Sequence, residues 1–159
     1  MKPFKMVSRS ATQTRSWGRK LGRLLQGGEI IGLLGDLGTG KTCFVRGVAE
    51  GLEVDERAWV RSPSFTLINE YEGRVPIFHI DLYRIAGASE LEELNLREYF
   101  FSDGVSLVEW FDHLPEDEVA EYLEVRLEHV SDHERRLAVV SHGEAYEALV
   151  GKLRRRRSE

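Results

Sequence analysis

The residues best suited to chemistry lie in one stretch, Gly35-Asp36-Leu37-Gly38-Thr39-Gly40-Lys41-Thr42. It fits the pattern G-x-x-x-x-G-K-[ST], a loop that wraps phosphate. Glycines let backbone N–H groups turn inward and approach phosphate oxygens with no Cβ in the way. Lys41 supplies a point charge for the outer phosphates, and Thr42 offers a hydroxyl to a magnesium ion. The segment from Lys41 onward, Cys43-Phe44-Val45-Arg46-Gly47-Val48-Ala49, has helical spacing. Its N-terminus would face the anion.

A phosphate loop needs acids nearby, to hold the metal or the attacking water. In an open α/β sheet, ligands bind beyond the carboxyl ends of the strands. Asp81 closes the apolar run Phe78-His79-Ile80, and Glu109 closes Val105-Ser106-Leu107-Val108. These two acids and Lys41 are the catalytic candidates. Asp36, Ser62, Thr66, Arg84 and Trp110 rank second. Trp110 packs on a nucleotide or in the core. His79 is read as a satisfied core histidine and Cys43 as a small buried residue, although the helix dipole at Cys43 would lower a thiol pKa.

The elements that must position these residues follow from periodicity and punctuation. Ile30-Ile31-Gly32-Leu33-Leu34 reads as a buried parallel strand within 29–34. Before it, Ser10 or Thr12 caps a helix through Trp17, Leu21, Leu24 and Leu25, ended by Gln26-Gly27-Gly28. Residues 1–9 read as a loose lead-in. After the loop comes a helix to about Leu52, then a polar loop over 53–62 broken at Pro63. Strands over 65–71 and 75–80 make a hairpin, with Pro76 near a strand start where its missing donor matters least. Ser89 and Glu92 form a capping box, and Asn95 takes a left-handed conformation at a helix break. A short strand spans 105–108. Strands over 122–130 and 136–141 pair about a turn at 131–134, and a last helix spans 143–153.

The fold expected is α/β, a three-layer α/β/α arrangement of the P-loop NTPase type with one mixed central sheet. With 159 residues there is room for one domain, here 1–153, followed by a disordered basic tail over 154–159 that carries four arginines. Those arginines could touch RNA phosphate, but a solvated end is the simpler reading. The net charge of −5 excludes a global basic field for nucleic acid, so any RNA contact is local or made through a partner. One cysteine excludes an intrachain disulfide. No apolar run approaches membrane-spanning or signal-peptide length, so the expectation is a cytoplasmic protein.

Four strings occur in order: Gly-Asp-Leu-Gly-Thr-Gly-Lys-Thr (35–42), Ser-Pro-Ser-Phe-Thr-Leu (62–67), His-Ile-Asp-Leu-Tyr-Arg (79–84) and Val-Glu-Trp (108–110). Together they resemble the TsaE (YjeE) family of bacterial ATPases. Thr14 and Gly18 fit its T-x-x-x-G pattern, and the resemblance runs to about Val140. It implies binding and hydrolysis of ATP with Mg2+, in support of a TsaD–TsaB synthase complex. That complex makes N6-threonylcarbamoyladenosine at position 37 of tRNAs reading codons that start with A, from an adenylate supplied by TsaC. The chain would meet tRNA through the complex, touch no membrane and be monomeric alone. By the same resemblance Thr42 and Glu109 ligate magnesium, and Asp81 lies near the γ-phosphate and water. Asp36, Leu37, Gly38, Thr39, Gly40, Lys41, Thr42, Cys43 and Asp81 line the nucleotide. Thr12, Thr14 and the 131–136 turn are the expected base contacts.

The chain departs from the family pattern at Ser64 (commonly Thr), Phe111 (commonly Pro) and Asn95 (usually Gly). Two readings stand beside it. One is a small-molecule or nucleoside kinase, although no acceptor pocket or arginine-rich lid is readable. The other is a nucleotide-gated binding module with vestigial hydrolysis. No Asn-Lys-x-Asp string supports a GTPase. Arg84 is the candidate for a cis arginine finger, and without one the isolated ATPase would be slow.

Overall fold

The structure, a computed structural model, describes residues 2–36, 38–58, 60–61, 63 and 67–157. Its strands are β1 (Phe4–Ser8), β2 (Ile30–Leu34), β3 (Ile68–Glu72), β4 (Pro76–Asp81), β5 (Val105–Glu109), β6 (Tyr122–Ser131) and β7 (Glu134–His142). Its α-helices are α1 (Ala11–Leu24), α2 (Lys41–Gly51), α3 (Ala88–Leu94), α4 (Leu96–Phe100) and α5 (Glu144–Arg155). The strands form one mixed sheet in the order β1-β7-β6-β2-β5-β4-β3. β2 pairs in parallel with both β5 and β6, and β5 in parallel with β4. β3, β7 and β1 join by antiparallel pairing.

Strand alternation divides the core between two faces. Ile31, Leu33, Ile77, Val105 and Leu107 pack with residues of α1, α2 and α5. Ile30, Ile80 and Val108 pack on the other side with Leu96, Phe100, Phe111 and Leu114. The central strands are thus apolar on both faces, as a covered parallel sheet requires.

Helices α1 and α2 pack backbone to backbone through interlocking glycines. A Cβ at Gly18 would meet the Phe44 carbonyl oxygen at 2.3 Å, and one at Gly22 the Val48 oxygen at 2.3 Å. In return, a Cβ at Gly47 would meet the Arg15 oxygen at 2.0 Å, and one at Gly51 the Arg19 oxygen at 2.3 Å. The Arg74 guanidinium closes the far end of both helices. It donates to the carbonyls of Gly22 (2.9 Å), Leu25 (3.1 Å) and Gly51 (3.3 Å), at helix ends where carbonyls outnumber the backbone donors.

Three expectations need correction. Residues 4–8 are an edge strand, not a lead-in. Phe4, Met6 and Ser8 are buried in alternation with exposed Lys5 and Val7, a pattern too short to stand out without its partner β7. Ser89 does not cap α3. The helix begins at Ala88, two residues earlier than that cap requires, with Gly87 at its N-cap, and the Glu90 carboxylate accepts from the Ala86 N–H instead. The start of the basic tail is held: α5 continues to Arg155, Arg154 donates to the Lys2 carbonyl (2.9 Å), and Arg154 and Arg157 lie over the Phe4 ring. Ser10 is the N-cap of α1, accepting from Gln13 N–H at 3.1 Å, and Asn95 is left-handed (φ 51°) between α3 and α4. The hairpin forms between β3 and β4, while residues 65 and 66 of its expected first strand lie outside the described residues.

Candidate active site

The parallel register brings the site together. Leu33 of β2 is the partner of Glu109 on β5, and Glu109 is the partner of Asp81 on β4. Register partners in parallel strands project to the same face. Both carboxylates therefore share the side of the sheet covered by α1 and α2. The chain leaving β2 turns through Gly35–Gly40 into α2, which sets Lys41 and Thr42 beside them.

The turn depends on glycine at three positions, Gly38 among them with φ 78°. Gly35 has φ 147°, and a Cβ there would meet the Leu127 carbonyl oxygen at 2.4 Å. Gly40, the N-cap of α2, has φ 102°. At Gly38 a Cβ would meet nothing within 4 Å, so the loop opens outward there. The Thr39 hydroxyl donates to the Asp36 carbonyl (2.9 Å), while the Asp36 side chain is exposed.

Lys41 is 5% exposed. Its ammonium donates to the carbonyls of Gly35 and, at 2.8 Å, Asp36. It also lies 4.3 Å from the centroid of the Trp110 ring. Burial pushes the Lys41 pKa below its ordinary value, against the attraction of Glu109, Asp81, Asp36 and Asp112. Added negative charge from a phosphate would favour the ammonium form.

Glu109 is buried. One of its oxygens, Oε2, lies 2.5 Å from Nε2 of His79, and the two oxygens stand 3.4 and 3.5 Å from the Thr42 hydroxyl. Asp81 is also buried, with Oδ1 accepting from Tyr83 N–H at 2.9 Å. The next residue after Glu109 is Trp110, left-handed at φ 59°, a conformation uncommon for a bulky residue. It turns the chain out of β5, and its ring lies against Tyr83 (5.0 Å) and His113 (5.5 Å). His113 is fixed in turn by donating from Nδ1 to the Leu82 carbonyl at 2.6 Å. Arg84 is exposed beyond Asp81.

Beside the loop lies a cavity of about 380 Å³, with Thr14, Thr39, Gly40, Cys43, His133 and Arg135 among its lining. It joins the start of α1, the start of α2 and the β6–β7 turn. Thr14, Cys43 and that turn thus line one cavity. Thr12 does not join them: it is exposed and lines a separate cleft with Arg15, Arg19, Arg46 and Glu50. Its position two residues before Thr14 on a helix turns it to another face. The Cys43 thiol pKa is raised, chiefly by burial, which runs against the dipole expectation, and its Sγ donates to the Ala11 carbonyl.

The family model described as "Threonylcarbamoyl adenosine biosynthesis protein TsaE" matches residues 8–137. The chain belongs to the TsaE family. A tRNA threonylcarbamoyladenosine biosynthesis protein TsaE from Treponema pallidum is 38% identical over 86% of this chain and 99% of the relative. One from Bacillus subtilis is 37% identical over 98% of this chain and 96% of the relative. The crystal structure of Bacillus subtilis YdiB matches with a TM-score of 0.84 at 34% identity, covering 98% of this chain and 96% of that one. TsaE proteins are named for tRNA threonylcarbamoyladenosine biosynthesis, and the mixed seven-stranded sheet is the fold of this structural relative.

The donors at this TsaE site suit a hard cation next to a polyanion. Thr42 and Glu109 offer only oxygen, and their separation is long for a strong hydrogen bond. Among the described residues no three His, Cys, Asp or Glu side chains close into a metal cage. A magnesium site that borrows phosphate and water needs only one or two protein oxygens. Among the described residues no helix is long and apolar enough to cross a membrane.

Departures from the family pattern have visible accommodations. Phe111 packs its ring over Gly32, where a Cβ would lie 2.6 Å from it, and Asn95 adopts the left-handed conformation that glycine would. Leu37, Ser62, Ser64 and Thr66 lie outside the described residues. His79, read from the sequence as a satisfied core histidine, is in the core but not fully satisfied: Nε2 meets Glu109, and Nδ1 has no hydrogen-bond partner among the described residues. It is wholly buried, and its signal was a polar side chain two positions before Asp81, hence on the same strand face.

Proposed function

We propose that the chain binds ATP with magnesium on the Gly35–Thr42 loop and hydrolyses it in the cytoplasm. We infer further that this hydrolysis serves a TsaD–TsaB complex making N6-threonylcarbamoyladenosine at adenosine 37 of tRNAs reading A-starting codons. The observation that carries the reading is the meeting of Lys41, Thr42, Asp81 and Glu109 at the ends of neighbouring parallel strands.

In this reading the loop amides and Lys41 grip the outer phosphates, with Lys41 exchanging loop carbonyls for phosphate oxygens. Thr42 and Glu109 would hold the magnesium, which when bound neutralises phosphate charge. Asp81 orients the attacking water or takes its proton as the new P–O bond forms. The leaving oxygen departs with ADP, so ATP and water become ADP and phosphate. Trp110 shields Lys41 from bulk water and so strengthens its field at the phosphates. The cavity beside Thr14 and Cys43 receives the base. Catalysis rests on positioning and on charge placed before the reaction begins.

The test is reconstitution of the tRNA modification with and without this chain, together with phosphate release by the chain alone and with TsaD–TsaB. Slow release alone, faster release with partners and modification that requires the chain are expected. Rapid turnover indifferent to the partners overturns the accessory role. A phosphorylated small molecule would restore the kinase reading. Modification that survives loss of hydrolysis in Glu109→Ala, but not loss of nucleotide binding, would favour the gated module.

A further inference from the structure

We propose that His79 is a positioning residue, holding the Glu109 carboxylate towards Thr42. The inference rests on the magnesium–nucleotide reading above and deepens it.

His79 is 0% exposed on a central strand. Its register partner is Leu107, so Glu109 stands two residues further along β5 on the same face. Nε2 and the Oε2 of Glu109 are direct hydrogen-bond partners, and a bond to an ionised acceptor is stronger than one between neutral groups. The other ring nitrogen, Nδ1, is buried with no hydrogen-bond partner among the described residues. An ionised Glu109, the form a cation site needs, only accepts, which puts the hydrogen of this bond on Nε2. A second hydrogen on Nδ1 would leave a buried donor unpaired on a buried cation.

A histidine kept only for packing has no reason to spend its single donor on the acid that faces the phosphate loop. Glu109 stands among groups that compete for it. Lys41 attracts it, and Thr42 lies at 3.4 Å from one oxygen and 3.5 Å from the other. Without the bond from His79, the carboxylate would turn towards the ammonium. With it, Oε2 is anchored from inside the sheet and the group remains aimed at Thr42. Partners behind a ligating group of this kind are worth about 10–100-fold in metal affinity.

The experiment measures the affinity for ADP with Mg2+ and again in chelator, for the full chain and two variants. His79→Leu removes the donor, and His79→Gln returns a neutral one. Wild type should gain affinity from Mg2+. His79→Leu should lose roughly 10-fold or more of that gain while its metal-free affinity holds, and His79→Gln should recover most of it. Imidazole 15N NMR of wild type should show Nε2 bearing the hydrogen and Nδ1 bare, with the Nε2–H signal moving on addition of Mg2+ and ADP. An undiminished gain in folded His79→Leu overturns the proposal, as does the opposite tautomer. If His79→Leu does not fold, the tautomer and the His79→Gln affinities decide. If wild type binds no nucleotide, the proposed function fails, while the NMR still reports whether His79 holds Glu109.

Discussion

Asp81 and Glu109 are register partners across the parallel β4–β5 pair, yet their surroundings differ. Glu109 is tied to His79 and faces Thr42, whereas Asp81 accepts from the N–H of Tyr83 two residues on. Two buried acids on one face with separate partners point to separate tasks.

Glu109→Gln should therefore remove most of the gain in nucleotide affinity from Mg2+. Asp81→Asn should leave binding within a few-fold of wild type and slow single-turnover phosphate release by about 10²–10⁴, the usual worth of a positioned base. Titration calorimetry with and without Mg2+ reads the first effect and phosphate release the second. The reverse pattern would exchange the two roles.

The α1–α2 interlock should tolerate no side chain. In Gly47→Ala the new Cβ would sit 2.0 Å from the Arg15 carbonyl oxygen, so the helices must part. Overpacking of this kind costs about 1–3 kcal/mol, and backbone neighbours cannot swing aside, so a value near the upper end is expected. Gly151→Ala in α5 is the control. Its Cβ would meet only the Arg155 guanidinium at 3.9 Å, and the variant should gain about 0.5–1 kcal/mol from helix propensity. Urea unfolding of both variants checks the contrast.

Much of this site was legible because its residues sit where local pattern is strongest. Gly35–Thr42 is a contiguous string, and Asp81 and Glu109 each end an apolar run. Strand order was not legible, but the rule that ligands gather at carboxyl ends made it unnecessary for choosing the acids. His79 was hidden because its meaning depends on a partner thirty residues away. The spacing Gly18-x-x-x-Gly22 against Gly47-x-x-x-Gly51 was present, but glycine in a helix reads as weakness until the opposing backbone is seen. Edge strand β1 needed β7 to reveal its alternation.

Glu50 ties the same two helices by charge, accepting from both Arg15 and Arg19. Partial burial pushes its pKa up, but the two guanidinium hydrogen bonds outweigh this and hold it below the ordinary glutamate value of 4.5. A depressed carboxylate pKa stabilises the fold above the unfolded value, and that stabilisation disappears as pH falls through the folded one. Glu50→Gln should thus lower stability at pH 7 by at most about 1 kcal/mol, since these charges are solvent-screened. The difference should shrink below pH 4.5. Unfolding midpoints of the two proteins across pH 3–7 measure it.

The cavity of about 380 Å³ beside the loop offers a way to separate base recognition from phosphate recognition. Cys43 lines it from the first turn of α2, one residue past Thr42, and is only half-buried. Enlarging this side chain fills part of the cavity while leaving every residue of the loop, Gly40 and Lys41 included, unsubstituted. In Cys43→Phe the affinity for ATP should fall about tenfold or more, the effect of losing well-made contacts worth at least ~1.4 kcal/mol. Affinity for inorganic tripolyphosphate should stay near that of wild type, because the loop amides and ammonium are unchanged. Competition of each ligand against a fluorescent nucleotide would not serve, since the probe needs the same cavity. Calorimetry with each ligand separately does. Equal loss for both ligands would mean that the bulk disturbs the loop itself, and no loss for either would place the base outside this cavity.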